Sequence, residues 1–115
     1  MLNPDELKKL AELCGYKFEL VNTCPCIWDE KLDRWQDWHP DTSIEQAFMV
    51  ADKAFGWYKI ERFLQDDAKW AYSCHGAYFK NNDAFIIDDG FNGDYDNSNL
   101  ALVLCRAALT ALKED

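Results

Sequence analysis

Residues able to do chemistry are few in this chain, and their spacing is more telling than their number. There are two histidines. Hydrolysis of the Ser–His–Asp or Cys–His kind needs a nucleophile beside an oriented imidazole. His39 stands directly before Pro40. His75 follows Cys74, and adjacent residues of a strand point to opposite faces, so that pair is no dyad. No glycine-rich phosphate loop is present. Cys24-Pro25-Cys26 offers two thiolates, with Cys74, His75 or His39 as further ligands. A structural zinc site ordinarily joins two such pairs, and here there is only one. Asp94, Asp96 and Ser98 match the opening of a calcium loop, but its central glycine and terminal glutamate are missing. No metal, no cofactor and no catalytic residue is expected on these grounds.

Aromatic residues are the stronger signal. The tryptophans are Trp28, Trp35, Trp38, Trp57 and Trp70, and three of them fall among charges between residues 28 and 38. The run 35–48, WQDWHPDTSIEQAF, sets two of these directly before a helix start. Aromatic side chains with a few polar groups line small-ligand pockets, and beside arginine they anchor protein interfaces. The competing reading is that they cover a sheet as a lid and act by area alone. The expectation is that Trp35 and Trp38 flank a ligand or partner surface, with Trp28, His39 and Arg62 contributing. A helix N-terminus there would favour an anion. Asp41 and Glu45 oppose one unless Arg34 or Arg62 compensates.

Asn3, Pro4 and Glu6 form the start of a first helix, with a capping box. Leu7, Leu10, Ala11 and Cys14 share one face, and Gly15 ends it. Residues 16–40 read as a long connection carrying at most a short strand or hairpin, in which YKFEL resembles a strand and NTCPC a turn. Connections of that length are often functional. Pro40 bars an earlier helix start. Thr42 or Asp41 is the expected cap of a second helix, with Glu45 completing a box, and Gly56 its expected end. From 57 to 88, aromatic and branched runs separated by QDDA and NND predict an antiparallel meander of three or four strands. Asp89-Gly90 and Asn92-Gly93 signal turns in a polar loop. A last helix runs from about Asn99 to Lys113, and its wide apolar surface marks it as the most buried. The order predicts an α+β fold, an antiparallel three- to four-stranded sheet flanked by about three helices as an α-β-α sandwich.

At 115 residues the chain reads as a single domain over 1–115. Hydrophobic residues make up 49% against 29% charged, too apolar for a disordered chain. The formal charge is −9, which repels phosphate backbones and argues against nucleic-acid binding. No run approaches the ~20 apolar residues of a membrane span. The first ten residues lack the pattern of a signal peptide, so a cytosolic protein with free thiols is expected; its five cysteines are odd in number and irregularly spaced.

Three segments, LAELCGYK (10–17), WHPDTSIEQAFMVADKA (38–54) and LALVLCRAALTAL (100–112), resemble the phage ABA-sandwich family. The resemblance rests on Trp38, Pro40, Asp41 and Thr42 in the middle and on Cys105, Arg106, Ala107, Ala108 and Leu109 at the end. It implies helices on both faces of a central sheet and an origin in a bacteriophage or prophage. It brings no established activity. The combined expectation is a small acidic binding protein of the bacterial cytoplasm. It would act in host interaction or counter-defence by sequestering a host protein or a nucleotide-like ligand. The alternatives are a small enzyme whose site forms only in the fold, and a structural or assembly accessory protein. Homo-oligomerisation is left open by the sequence.

Overall fold

The computed structural model describes residues 2–64, 70–80, 83–89 and 99–113. In chain order these form α1 (Pro4–Leu13), β1 (Phe18–Val21), β2 (Cys24–Asp29), β3 (Arg34–Asp37), α2 (Ile44–Ala54), β4 (Trp57–Leu64), β5 (Trp70–Lys80), β6 (Asp83–Asp89) and α3 (Leu100–Lys113). The class is α+β. Among the described residues there are two antiparallel three-stranded sheets, β1-β2-β3 and β4-β5-β6. The spacers at 65–68 and 81–82, the Asn92-Gly93 turn signal and the run 94–98 lie outside the described residues.

The expected start of α1 is present. The Asn3 side chain accepts from the Glu6 N–H at 2.9 Å, and the Glu6 carboxylate accepts from the Asn3 N–H at 3.1 Å. Two orphan donors are thereby satisfied, with Pro4 in the first turn where its missing N–H costs nothing. Gly15 follows the helix at φ +80°, a conformation open to glycine at little cost.

The long connection is where the sequence reading and the structure part. Residues 18–37 form a complete three-stranded sheet. Asn22 and Thr23, both at positive φ, make a two-residue turn of the primed type, whose twist matches paired strands. Cys24 and Cys26, read as part of a turn, lie in β2. The second hairpin closes on Asp29. Its carboxylate accepts from the N–H groups of Lys31 and Leu32 at 2.9 and 3.2 Å and from the Gln36 amide at 2.7 Å. Strands of four to six residues repeat the two-residue period too few times to stand out from charges and aromatics.

The cap of α2 is Ser43, one residue beyond the predicted Thr42 and two beyond Asp41; its hydroxyl accepts from the Gln46 N–H at 3.4 Å. Thr42 and Ser43 instead turn back, their N–H groups donating to the His39 carbonyl at 3.1 and 2.7 Å. Nor does Gly56 end the helix. Phe55 leaves it in an extended conformation, and the Gly56 N–H enters the second sheet by donating to the Ala77 carbonyl at 2.8 Å.

The core gathers Leu7, Leu10, Ile27, Trp38, Val50, Phe55 and Tyr78 with nearly the whole inner face of α3, which is the most buried helix. α3 packs on α2, β5 and β6, while α1 contacts α2, α3, β1 and β2. Asn99 caps α3 through the Leu102 N–H at 3.3 Å, and its amide donates to the Asp41 carbonyl at 2.9 Å, tying the starts of α2 and α3 together. Among the described residues no helix is long and apolar enough to cross a membrane.

Candidate functional site

The residues singled out from the sequence divide among three places. Ile27 lies in the core, so the alternate residues of β2, Cys24, Cys26 and Trp28, take the opposite face of the first sheet. Register places Trp35 beside Trp28 and Asp37 beside Cys26 on that same face. The two indoles are half-buried and meet edge to face, with centroids 5.3 Å apart. Next to them the Cys24 thiol donates to Asp37 Oδ1 at 3.6 Å. The thiols of Cys24 and Cys26 and a carboxylate oxygen of Asp37 all lie within 4.8 Å of one another. Partial burial, and then the Asp37 carboxylate, raise the Cys24 thiol above its ordinary pKa.

Trp38 is elsewhere. It is 0% exposed, its Nε1–H donates to the Leu7 carbonyl at 2.9 Å, and its ring meets the edge of Tyr16 at 6.0 Å. Its backbone N–H donates to the Pro25 carbonyl at 2.9 Å, joining the end of β3 to β2. His39 is half-buried, and its backbone is held by the Gln46 side chain at 2.7 Å. The stretch from Trp38 to Ser43 therefore welds β3 to α2, with Pro40 and Asp41 both buried.

Arg62 lies on the second sheet. Tyr58 and Ile60 face the core, so Arg62 and Leu64 continue the same face toward its open end. Register sets Tyr72 opposite Arg62 and Trp70 opposite Leu64. The Arg62 guanidinium sits 3.9 Å over the Trp70 ring, a cation–π contact at the surface. Tyr72 also forms one wall of a cleft of about 480 Å³, completed by Thr42, Ile44, Asn99, Leu100 and Ala101. Both helix starts, of α2 and α3, thus open on this cleft, and helix starts carry unsatisfied N–H donors and a positive dipole end. Ile44 of the cleft wall is 41% exposed, and farther along the same face of the second sheet Trp70 and Leu64 are 47% and 57% exposed. Tyr72 and Asn99 could not be assembled from sequence, because one lies on β5 and the other at the start of α3, and they meet only where α3 packs on the second sheet. The alternation Arg62-x-Leu64 and Trp70-x-Tyr72 was the only trace of this sheet face.

The outer face of the second sheet brings Ser73, His75 and Glu61 together. Ser73 Oγ is 3.4 Å and Glu61 Oε2 3.9 Å from the same nitrogen, His75 Nε2. A relay needs the nucleophile on one ring nitrogen and the carboxylate on the other. Ser73 is moreover fully buried, and Glu61 is shared with Lys59 at 3.1 Å. Cys74 points the other way, into the core. Neither Cys14 nor Cys105 is an activated nucleophile: burial pushes Cys14 up to about 11, with Lys53 only partly opposing it, and burial raises Cys105 as well. No protein-family model, curated protein or solved structure matches this chain in the comparisons made.

Proposed function

We propose that this chain is a phage- or prophage-encoded binding protein of the host cytoplasm. It captures a small ligand that carries both a planar ring and negative charge, of the nucleotide class, at the cleft between the starts of α2 and α3. The observation that carries the reading is the cleft walled by Tyr72 and the starts of α2 and α3, with Arg62, stacked on Trp70, as the cross-strand partner of Tyr72. Its volume falls in the range of small-ligand sites, roughly 300–1,000 Å³. An aromatic wall suits a ring, while a guanidinium and two helix starts suit a phosphate or carboxylate. The overall charge of −9 opposes an anion at long range. At physiological salt that field decays over about 8 Å, so local donors dominate once the ligand is seated. The phage origin rests on the resemblance of the three segments, and a counter-defence role follows as the use to which a ligand-sequestering protein would be put.

A second reading draws on the exposed Ile44, Leu64 and Trp70, which with Arg62 have the composition of a protein-interface anchor. One experiment separates the two. The wild-type protein is screened by thermal unfolding against mono-, di- and cyclic nucleotides, and separately used to capture binders from host lysate. Ligand capture predicts a stabilising nucleotide whose affinity falls about ten-fold or more, on the order of 1.4 kcal/mol, in Arg62→Ala and Trp70→Ala with little change in ligand-free melting. No stabilising nucleotide, together with a host protein retained by wild type and lost in the same variants, would establish the interface instead.

A further inference from the structure

We infer that Cys24, Cys26 and Asp37 form a site for a thiophilic divalent cation of the zinc class, on the outward face of the first sheet and separate from the cleft. Three ligating groups from two strands converge there within 4.8 Å. The Cys24 Sγ to Asp37 Oδ1 separation is 3.6 Å. With zinc–sulfur and zinc–oxygen bonds of about 2.3 and 2.1 Å, the sulfur–oxygen edge of a tetrahedron spans roughly 3.6 Å. The two groups already stand at the distance a shared ion would impose.

The backbone explains why they do. One residue separates the cysteines, so a strand presents both thiols to one face. That residue is Pro25, whose ring locks φ. Its carbonyl is held by the Trp38 N–H at 2.9 Å, which anchors the middle of the pair to the rigid β3–α2 junction. Asp37 is the register partner of Cys26, and its own carbonyl accepts from the Gln46 amide at 2.8 Å. The ligand positions are therefore supported from β2, β3 and α2.

Ligand chemistry selects the ion. Two sulfurs and one carboxylate favour zinc over calcium or magnesium, which prefer oxygen throughout. As the metal–sulfur bonds form, each thiol releases its proton to solvent, and two thiolates with one carboxylate more than offset the dication, leaving the loaded site with a net charge of −1. Cys26 is buried, Cys24 half-buried and Asp37 exposed, so the fourth position opens to solvent on the Asp37 side. Three protein ligands and one open position is the arrangement of a site that exchanges a ligand, in contrast to the closed four-ligand kind. Trp28 and Trp35 stand next along the same face and report on it.

The test is titration of the reduced full-length chain with cobalt(II) as a spectroscopic stand-in, followed by displacement with zinc. One equivalent of cobalt should produce sulfur-to-metal charge-transfer absorption and quench tryptophan fluorescence, and zinc should reverse both. Cys24→Ser should remove most of the charge-transfer intensity. Asp37→Asn should retain it and weaken affinity about ten-fold or more. Cys14→Ser, at a half-buried thiol outside the cluster, should change neither. The buried Cys26 is left intact so that folding is not in question. Absence of the absorption in folded protein, its survival in Cys24→Ser, or an unchanged affinity in Asp37→Asn would each overturn the assignment.

Discussion

Replacing Trp38 by phenylalanine decides whether the tryptophan beside the histidine is a core residue or a binding residue. The indole is fully buried and its Nε1–H donates to the Leu7 carbonyl at 2.9 Å. That carbonyl lies in α1 and keeps its helical donor, so losing the bond costs about 1 kcal/mol rather than the larger penalty of an orphaned group. The smaller ring leaves roughly 40 Å³ unfilled, which at about 24 cal/mol per Å³ adds about 1 kcal/mol. Lost transfer energy brings the total to about 2–3 kcal/mol. Against a stability of ~5–15 kcal/mol this is a large fraction. Urea unfolding followed by far-ultraviolet circular dichroism, which does not depend on the altered fluorophore, should show a midpoint lower by about 1–2 M. Trp35→Phe is the control. Trp35 is half-buried and meets Trp28 edge to face, so its loss should stay below about 1 kcal/mol. A Trp38→Phe midpoint within error of wild type, or a Trp35→Phe loss exceeding it, would refute the placement of Trp38 in the core.

Other outcomes follow from single contacts. A Cβ at Gly76 would lie 2.8 Å from Cδ1 of the buried Phe55 ring, so Gly76→Ala should cost about 1–3 kcal/mol and Phe55→Leu should recover part of it; additive effects in the double mutant would show that the two do not meet. Ser43→Ala should lower stability by about 1 kcal/mol and Thr42→Ala by clearly less; equal losses in denaturant unfolding would return the cap to Thr42. Burial, with help from the Asp52 carboxylate 3.0 Å away, holds the Tyr58 hydroxyl up at about 12 against its ordinary 10. The folded state then keeps a proton that the unfolded state gives up, so Tyr58 contributes stability below pH 10 that is lost as pH rises to about 12. Tyr58→Phe should remove that part of the alkaline slope, and a slope identical to wild type would contradict it.

Local chemistry alone determined much of this protein. The Asn3–Glu6 capping box, the left-handed Gly15, the meander beyond Trp57 and the apolar surface of α3 are each governed by neighbours within a few residues, and all are present. The same locality explains the miss between 16 and 40, where strands of four to six residues leave too little period to read. It also explains the error of one or two residues at the start of α2. Thr42, Asp41 and Ser43 are all competent caps, and the choice among them had both a distant and a local part: the Leu2 N–H, remote in sequence, donates to the Asp41 carboxylate, while the nearby His39 carbonyl takes the Thr42 hydroxyl. Five tryptophans were visible at once, but which were core was not. Burial depends on strand register and on what packs above, and a shift of one residue exchanges the two faces of a strand. Register hid Trp38 under α1, set Trp28 beside Trp35 and stacked Arg62 on Trp70. It also brought Asp37, thirteen residues away in sequence, to the Cys24 thiol. Sites are made by such non-local pairings, whereas the elements that carry them are made by local ones.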